Sequence, residues 1–154
     1  MLNHAPSCTK ADIKIITKRL SKIIKFGDCV LLEGSLGVGK TEFAKGLMSA
    51  FGVRRFACGS PTFPIINEYN YLNKKIAHID FYRLKNYDEI EDIGIPSYFW
   101  DENVIVISEW LNLFPKFERQ VMKKANSSIW KVKLEFDKTS PATKRKVSIF
   151  TGYH

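Results

Sequence analysis

The chain has 154 residues, of which 45% are hydrophobic and 26% charged, and this composition is typical of one globular domain with a sizeable core. It excludes a disordered or fibrous protein. No stretch approaches the ~18 uninterrupted apolar residues of a membrane helix, and the N-terminus lacks a signal peptide's apolar region, so we expect a cytoplasmic protein with no membrane contact.

The net charge of +8 is uneven along the chain, because residues 116–154 carry ten basic and three acidic side chains. Two interpretations of this basic segment stay open. Its field either attracts nucleic acid or an acidic protein surface, or it forms a solvated face that keeps the protein soluble.

The first third of the chain predicts a helix, a strand and a second helix. Thr9 and Asp12 form a candidate capping box for a helix with apolar residues at helical spacing, and Gly27 is its predicted stop. Residues 28–33 form a short apolar run, typical of a strand buried on both faces. Residues 41–51 again show helical spacing. A glycine-rich turn therefore connects a buried strand to a helix.

The middle of the chain predicts a loop, a hairpin and a short helix. Residues 53–64 contain one glycine and two prolines, which exclude a long helix and favour a mobile loop. Residues 65–71 and 75–82 are rich in β-forming residues and predict a pair of antiparallel strands. Residues 87–93 predict a short helix that ends at Gly94.

The last third predicts a buried strand and a C-terminal hairpin. Residues 104–108 (VIVIS) form a strongly apolar strand, followed directly by Glu109 and Trp110. Residues 129–136 and 146–150 alternate well enough for a hairpin. The three cysteines are odd in number and lack metal-site spacing, so they predict neither a disulfide framework nor a zinc site.

The glycine-rich turn reads GSLGVGKT and has the spacing of a phosphate loop. Its glycines allow successive amide N–H groups to turn inward, and the following helix directs its N-terminal dipole at the same point. We expect Lys40 to reach the β- and γ-phosphate oxygens and the Thr41 hydroxyl to ligate magnesium. An accidental match is the alternative, but the position between strand and helix favours the loop. The predicted nucleotide-binding residues are Gly34, Ser35, Leu36, Gly37, Val38, Gly39, Lys40 and Thr41.

Two carboxylates at predicted strand ends are candidates for the chemistry beside this loop. Asp80 and Glu109 each follow an apolar stretch, and either is an ordinary solvated carboxylate or a metal or water-positioning group. Glu109 fits the metal better because its strand is more uniformly apolar, and either Asp80 or Glu109 would orient the attacking water. His78 is interpreted as a hydrogen-bonded structural residue outside the mechanism, and Trp110 is either core or part of the site.

Two classes of phosphate-loop protein are disfavoured because the chain lacks their characteristic sequence features. Guanine readers of the small GTPase class use an [NT]KxD signature, whereas Asn73 and Lys74 are followed by Lys75 and Ile76, so GTP is disfavoured. A nucleotide or nucleoside kinase needs an acceptor pocket and usually an arginine-bearing lid. Beyond a β-hairpin, the chain after Glu109 has no room for these, and a kinase remains the alternative enzyme.

Five segments occur in an order that resembles one family. They are GSLGVGKT (34–41), SPTFPIINEY (60–69), HIDFYRL (78–84), DEIEDIG (88–94) and VISEW (106–110). With the N-terminal helix and the basic C-terminal hairpin, they make nearly the whole chain similar to the TsaE (YjeE) family. Members of that family are small bacterial ATPases that serve tRNA threonylcarbamoyladenosine formation.

The resemblance implies a protein that uses ATP and magnesium and works with the TsaD and TsaB proteins. The modified nucleoside is the adenosine next to the anticodon of ANN-reading tRNAs. The expected fold is a three-layer α/β domain of P-loop NTPase type over residues 1–154, with a largely parallel central sheet and β-hairpin additions. The protein is then either a weak, partner-stimulated ATP hydrolase or a nucleotide-sensing module that binds tRNA, directly or through the complex.

The family pattern also implies roles for individual positions. Most of them coincide with residues already named: Gly34, Gly39, Lys40, Thr41, Asp80 as the catalytic aspartate, and Glu109 with Trp110 at the metal site. The resemblance adds Thr62, which lies in a switch-like loop with Ser60 and Pro61, and Thr9 near the nucleotide pocket. Two positions depart from the pattern. Ser35 stands where aspartate is usual, and Pro64, where threonine is common, would stiffen the switch loop.

Overall fold

The computed structural model describes residues 7–54, 64–124 and 128–151. Within these ranges, the chain forms five α-helices and six β-strands. The helices are α1 (Lys10–Leu20), α2 (Lys40–Ala50), α3 (Asp88–Asp92), α4 (Ile95–Trp100) and α5 (Pro115–Met122). The strands are β1 (Cys29–Glu33), β2 (Ile66–Tyr71), β3 (Lys74–Asp80), β4 (Val104–Glu109), β5 (Ile129–Phe136) and β6 (Arg145–Thr151). In the sequence, β2 is next to β3, α3 next to α4 and β5 next to β6.

The strands form one mixed sheet in the order β2-β3-β4-β1-β5-β6. The four inner strands β3, β4, β1 and β5 are parallel, and the outer strands β2 and β6 pair antiparallel with β3 and β5. The predicted largely parallel sheet with hairpin additions is therefore confirmed. β1 and β4 lie at its centre, which explains why their side chains are almost all buried.

Helices cover both faces of the sheet and give the predicted three layers. Alternate residues of the inner strands face opposite sides, so that Val30 and Ile107 pack with α1 and α2, whereas Leu31 and Val106 pack with α3, α4 and α5. Each side has its own apolar cluster, built largely from fully buried aliphatic and phenylalanine side chains. Cys29 is fully buried in the second cluster, as its strand position predicts.

The start of α1 confirms the predicted capping box. Thr9 is the N-cap residue and its Oγ1 accepts a hydrogen bond from the Asp12 amide, while the Asp12 carboxylate accepts one from the Thr9 amide. The helix ends at Leu20, earlier than the predicted stop, and a turn leads to Gly27, whose φ is +89°.

Several boundaries and two helices differ from the sequence prediction. β3 ends at Asp80 rather than Tyr82 because Phe81 turns into the core and begins a short 3-10 helix, Phe81–Arg83. The hairpin between β2 and β3 turns on Leu72 and Asn73 alone, which both have positive φ.

Neither α4 nor α5 was predicted. The segment after Glu109 holds α5 as well as the predicted hairpin. None of the helices in the described ranges has both the length and the apolar character needed to cross a bilayer.

Candidate functional site

The loop that follows β1 has the geometry of an anion cradle. Gly39, with φ of +111°, is the N-cap residue of α2, and it has no side chain with which to cap the helix's first amide groups. Gly34 has φ of +149°, and a Cβ there would lie 2.5 Å from the backbone oxygen of Leu134. Only glycine fits at that position. The loop therefore leaves the N-terminal N–H groups of α2 available to an anion.

Lys40 lies inside this loop rather than on its surface. The residue is 5% exposed, and Nζ donates to the backbone oxygens of Gly34 (2.7 Å) and Ser35 (3.0 Å). Nζ also lies 3.7 Å from the centroid of the Trp110 ring. Burial lowers the pKa of Lys40, and the charges of Glu109 and Asp80 oppose that change. The ammonium group is held by carbonyl groups that phosphate oxygens could replace.

Thr41 and Glu109 form the contact between the loop and the neighbouring strand. Thr41 Oγ1 donates to Glu109 Oε2 at 3.0 Å, and His78 Nε2 lies 2.7 Å from Glu109 Oε1. Glu109 is 3% exposed and His78 9%. Both oxygens of one buried carboxylate are therefore hydrogen-bonded, one to α2 and one to β3.

The register of the sheet explains why these residues meet. β3 and β4 are parallel, with Asp80 opposite Glu109 and His78 opposite Ile107. Side chains alternate along a strand, so His78, Asp80 and Glu109 all face the layer of α1 and α2, as Ile107 does. The phosphate loop enters α2 in that same layer. Parallel strands thus bring both predicted carboxylates to the loop at their carboxyl ends.

Asp80 is half-buried and lies at the edge of this group. Its Oδ1 accepts a hydrogen bond from the Tyr82 amide at 3.1 Å, and its Oδ2 lies 3.7 Å from Arg83 Nε. Burial raises the pKa of Asp80, with a further contribution from the charge of Glu109, while the Tyr82 amide and Arg83 lower it. Among the described contacts, the carboxylate has no direct bond to Glu109 or to the loop.

The oxygen ligands at this site suit magnesium, which is bound partly by substrate phosphates, better than a metal ion bound by protein side chains alone. In the described part of the chain, no group of three or more His, Cys, Asp or Glu side chains could hold a metal ion. Magnesium prefers oxygen ligands and is typically held by one or two carboxylates together with substrate phosphates. The hydroxyl of Thr41 and the carboxylate of Glu109 fit this description.

Arg145 is a residue of this region that the sequence reading missed. It begins β6, and its Nε donates to the backbone oxygen of Val38 at 2.7 Å, while its guanidinium lies 4.5 Å from the centroid of the Phe136 ring. Its backbone pairs with that of Cys8. The arginine therefore ties the phosphate loop to the C-terminal hairpin and the start of α1. No motif marks it, because the contact depends on the tertiary fold.

The remaining predicted site residues fall into three groups. Ser35, Leu36 and Gly37 are exposed at the tip of the loop, whereas Val38 is buried beneath it. Thr9 caps α1. The neighbouring Cys8 pairs with Arg145, so the start of α1 lies on the same side of the sheet as the phosphate loop. Ser60, Pro61 and Thr62 lie outside the described residues.

Several cations of the basic C-terminal segment are engaged within the protein. Lys131 bonds to Glu33 at 2.7 Å and to Glu118 at 3.1 Å, and Lys124 donates to the backbone oxygen of Gly27 at 2.8 Å. The two glutamates offset the charge of Lys131, whereas the carbonyl bond fixes the position of Lys124 without neutralising it.

Comparisons with known proteins agree on one family. The family model described as "Threonylcarbamoyl adenosine biosynthesis protein TsaE" matches residues 7–147. A curated "tRNA threonylcarbamoyladenosine biosynthesis protein TsaE" from Bacillus subtilis is 42% identical over 102 residues, which are 66% of this chain and 62% of that protein. Its namesake from Borreliella burgdorferi is 37% identical over 97 residues, 60% of this chain and 69% of that one.

A solved structure extends the likeness to the fold. The crystal structure of Bacillus subtilis YdiB superposes with a TM-score of 0.68 and 26% sequence identity, and the match covers 96% of this chain and 82% of that one. The fold is thus that of a P-loop NTPase-like α/β domain. The chain aligns with less than two thirds of the length of the curated B. subtilis relative.

Proposed function

The chain belongs to the TsaE family, and we propose that it is an ATPase that binds and hydrolyses ATP with magnesium in support of tRNA threonylcarbamoyladenosine modification. One observation carries the proposal. A buried glutamate at the end of a central strand bonds to the threonine that follows the phosphate-loop lysine, at 3.0 Å. That pairing is the arrangement expected where a phosphate loop and a metal-holding carboxylate serve one nucleotide.

Nucleotide binding would be performed by the loop and Lys40. The uncapped N–H groups at the start of α2 would donate to the phosphate oxygens, supported by the helix dipole. Lys40 Nζ now donates to the oxygens of Gly34 and Ser35, and it would exchange these partners for β- and γ-phosphate oxygens. Because the ammonium group is already desolvated, the exchange does not strip it of bulk water.

The metal side would be formed by Thr41 and Glu109. The Thr41 hydroxyl donates a hydrogen bond to Glu109, so the lone pairs of its oxygen stay available for a cation, and Glu109 would act directly or through a metal-bound water. Magnesium, when bound, would neutralise charge on the phosphates. Glu109 also contributes negative charge close to Lys40.

Asp80 is proposed to orient the attacking water. It is half-buried, lies opposite Glu109 in the register of β3 and β4, and is placed by the Tyr82 amide rather than by the metal-side residues. Its raised pKa makes it a stronger proton acceptor than an exposed aspartate. Hydrolysis would then proceed mainly by positioning and charge stabilisation.

The proposed partners are the TsaD and TsaB proteins, with tRNA as the substrate of the assembled system. The family and its curated relatives carry the name of this biosynthesis, which supports a role within it. Turnover by the isolated chain is expected to be weak and to rise when the partners are present.

The proposal is tested by single-turnover ATP hydrolysis with and without TsaB and TsaD. The Lys40→Ala variant should lose ATP binding and hydrolysis while remaining folded by circular dichroism. Unchanged hydrolysis in this variant would refute the assignment. Equal rates with and without the partners would refute stimulation by them.

A further inference from the structure

We propose that His78 is a positioning residue, which fixes the Glu109 carboxylate so that its second oxygen faces Thr41. This inference deepens the proposed function, since it rests on Glu109 serving the metal side. The observation behind it is the pair of bonds to one carboxylate, His78 Nε2 to Oε1 at 2.7 Å and Thr41 Oγ1 to Oε2 at 3.0 Å.

The hydrogen bond between the His78 imidazole and Glu109 is buried. The side chains of His78 and Glu109 are 11% and 4% exposed, so water competes little for the bond between them. A carboxylate at this depth needs its lone pairs satisfied. Among the contacts of the described residues, His78 is what satisfies the Oε1 side.

The geometry of the strands gives the bond a positioning role. A glutamate side chain has three rotatable torsions, and one hydrogen bond to Thr41 would leave its plane free to turn about that contact. The bond from β3 supplies a second fixed point. Because β3 and β4 are hydrogen-bonded neighbours in the rigid centre of the sheet, the two anchors are set by the fold itself.

The bond requires a proton on Nε2, since a carboxylate oxygen can only accept. A neutral imidazole with its proton on Nε2 meets this need. The amide nitrogen of glutamine can reach about as far as Nε2, whereas that of asparagine ends near the place of Nδ1. Glutamine at position 78 can therefore replace the hydrogen bond to Glu109, whereas asparagine is equally polar but cannot reach.

The experiment is a double-mutant cycle on nucleotide affinity, measured with ADP in excess magnesium and again in EDTA. His78→Leu should weaken binding about tenfold in magnesium, the loss expected for a hydrogen bond to a charged group, and leave the affinity in EDTA unchanged. In a Glu109→Ala background, the same His78→Leu change should have no further effect, because nothing remains to position.

Two variants distinguish positioning from general support of the fold. His78→Gln should recover most of the magnesium-dependent affinity and His78→Asn should not, and this comparison holds even if His78→Leu folds poorly. Ser108→Ala removes a buried polar group from the opposite face of β4 and should change neither affinity. Thermal unfolding of each variant monitors the fold.

The outcomes separate this inference from the proposed function. A His78→Leu loss that is equal in EDTA, or that persists in full in the Glu109→Ala background, would overturn the positioning role. Failure of His78→Gln to exceed His78→Asn would do the same. If Glu109→Ala itself leaves the magnesium dependence intact, both the metal-side role of Glu109 and this inference are wrong.

Discussion

The ammonium group of Lys40 lies 3.7 Å from the centroid of the Trp110 ring, and on its other sides it donates to the backbone oxygens of Gly34 and Ser35. These contacts give the lysine a defined place within the loop. If Lys40 exchanges these carbonyl groups for phosphate oxygens, as proposed, Trp110 is the side chain that would register the movement.

Trp110 is expected to report nucleotide binding through its fluorescence. The emission of wild-type protein should change when ATP binds, because a cation beside the indole moves. In Trp110→Phe the change should vanish, although binding measured by calorimetry persists. Trp100→Phe, which alters an exposed tryptophan of α4, is the matched control and should keep the signal. A change that survives in Trp110→Phe would contradict the predicted movement.

Gly34→Ala should destabilise the protein more than Gly37→Ala. The added Cβ at Gly34 would lie 2.5 Å from the backbone oxygen of Leu134, so β5 has to move, whereas at Gly37 it meets nothing within 4 Å. Overpacking against backbone costs about 1–3 kcal/mol beyond the left-handed strain that both positions share. Urea unfolding measures the free energy of unfolding of both variants. Equal losses of stability would show that the β5–β6 hairpin moves away from the added Cβ at little cost.

Arg145→Ala should weaken nucleotide binding although the side chain lies on the C-terminal hairpin. Its bond to the Val38 oxygen steadies the loop, and a charged hydrogen bond is worth about 1.5–3 kcal/mol, so we expect a loss of affinity of about tenfold. Lys146→Ala, at the exposed next residue, should bind normally. Equal affinities of the two variants in a calorimetric titration would dismiss this coupling.

Asp80→Asn should raise thermal stability at pH 7. Burial, the main cause, raises the pKa of Asp80 in the folded chain above its unfolded value of 3.8. The folded state thus binds this proton more tightly, and the stability that it gains below the unfolded pKa is lost as pH rises through the raised folded pKa. Asparagine does not ionise and keeps an oxygen for the Tyr82 amide.

The melting temperatures of wild type and Asp80→Asn should therefore differ most near neutral pH and converge in acid. A variant that melts lower than wild type at pH 7, by an amount that does not vary with pH, would show that the aspartate is not strained by burial.

The parts of the fold that sequence predicts are those with a strong local signal. The capping box of Thr9, the apolar run of β4 and the alternation of β5 each have a pattern that one segment displays by itself, and the structure confirms them. A helix of six or eight residues shows few turns of periodicity, so α4 and α5 were missed, whereas the similarly short α3 was predicted with the help of its stop at Gly94. The stability of α4 and α5 comes from buried Phe99 and Phe117.

The sequence predicts the part of the candidate site that lies in one continuous motif. It does not predict the contacts between residues that the sheet brings together from different strands. The phosphate loop is continuous in sequence, so Lys40 and Thr41 could be named directly. The bond between His78 and Glu109 joins two strands, and its only advance signal was that His78 and Asp80 share a strand face. The contact of Arg145 with Val38 spans the chain and had no signal at all.

We propose that Glu109 and Asp80 serve one magnesium-nucleotide site in different roles, and two neutralised variants test this assignment. Removal of a metal-side carboxylate should weaken magnesium-dependent binding, whereas removal of a water-orienting carboxylate should slow the chemical step and spare binding. The two substitutions, Glu109→Gln and Asp80→Asn, change shape little and charge equally.

The decisive measurement is a magnesium titration of ATP binding together with the single-turnover hydrolysis rate for each variant. We expect Glu109→Gln to need more magnesium to bind ATP. Asp80→Asn should bind as wild type does but hydrolyse at least about a hundredfold more slowly, as for loss of a general base. A binding defect confined to Asp80→Asn would reverse the two roles. Wild-type binding and rates in both variants would remove these carboxylates from the mechanism.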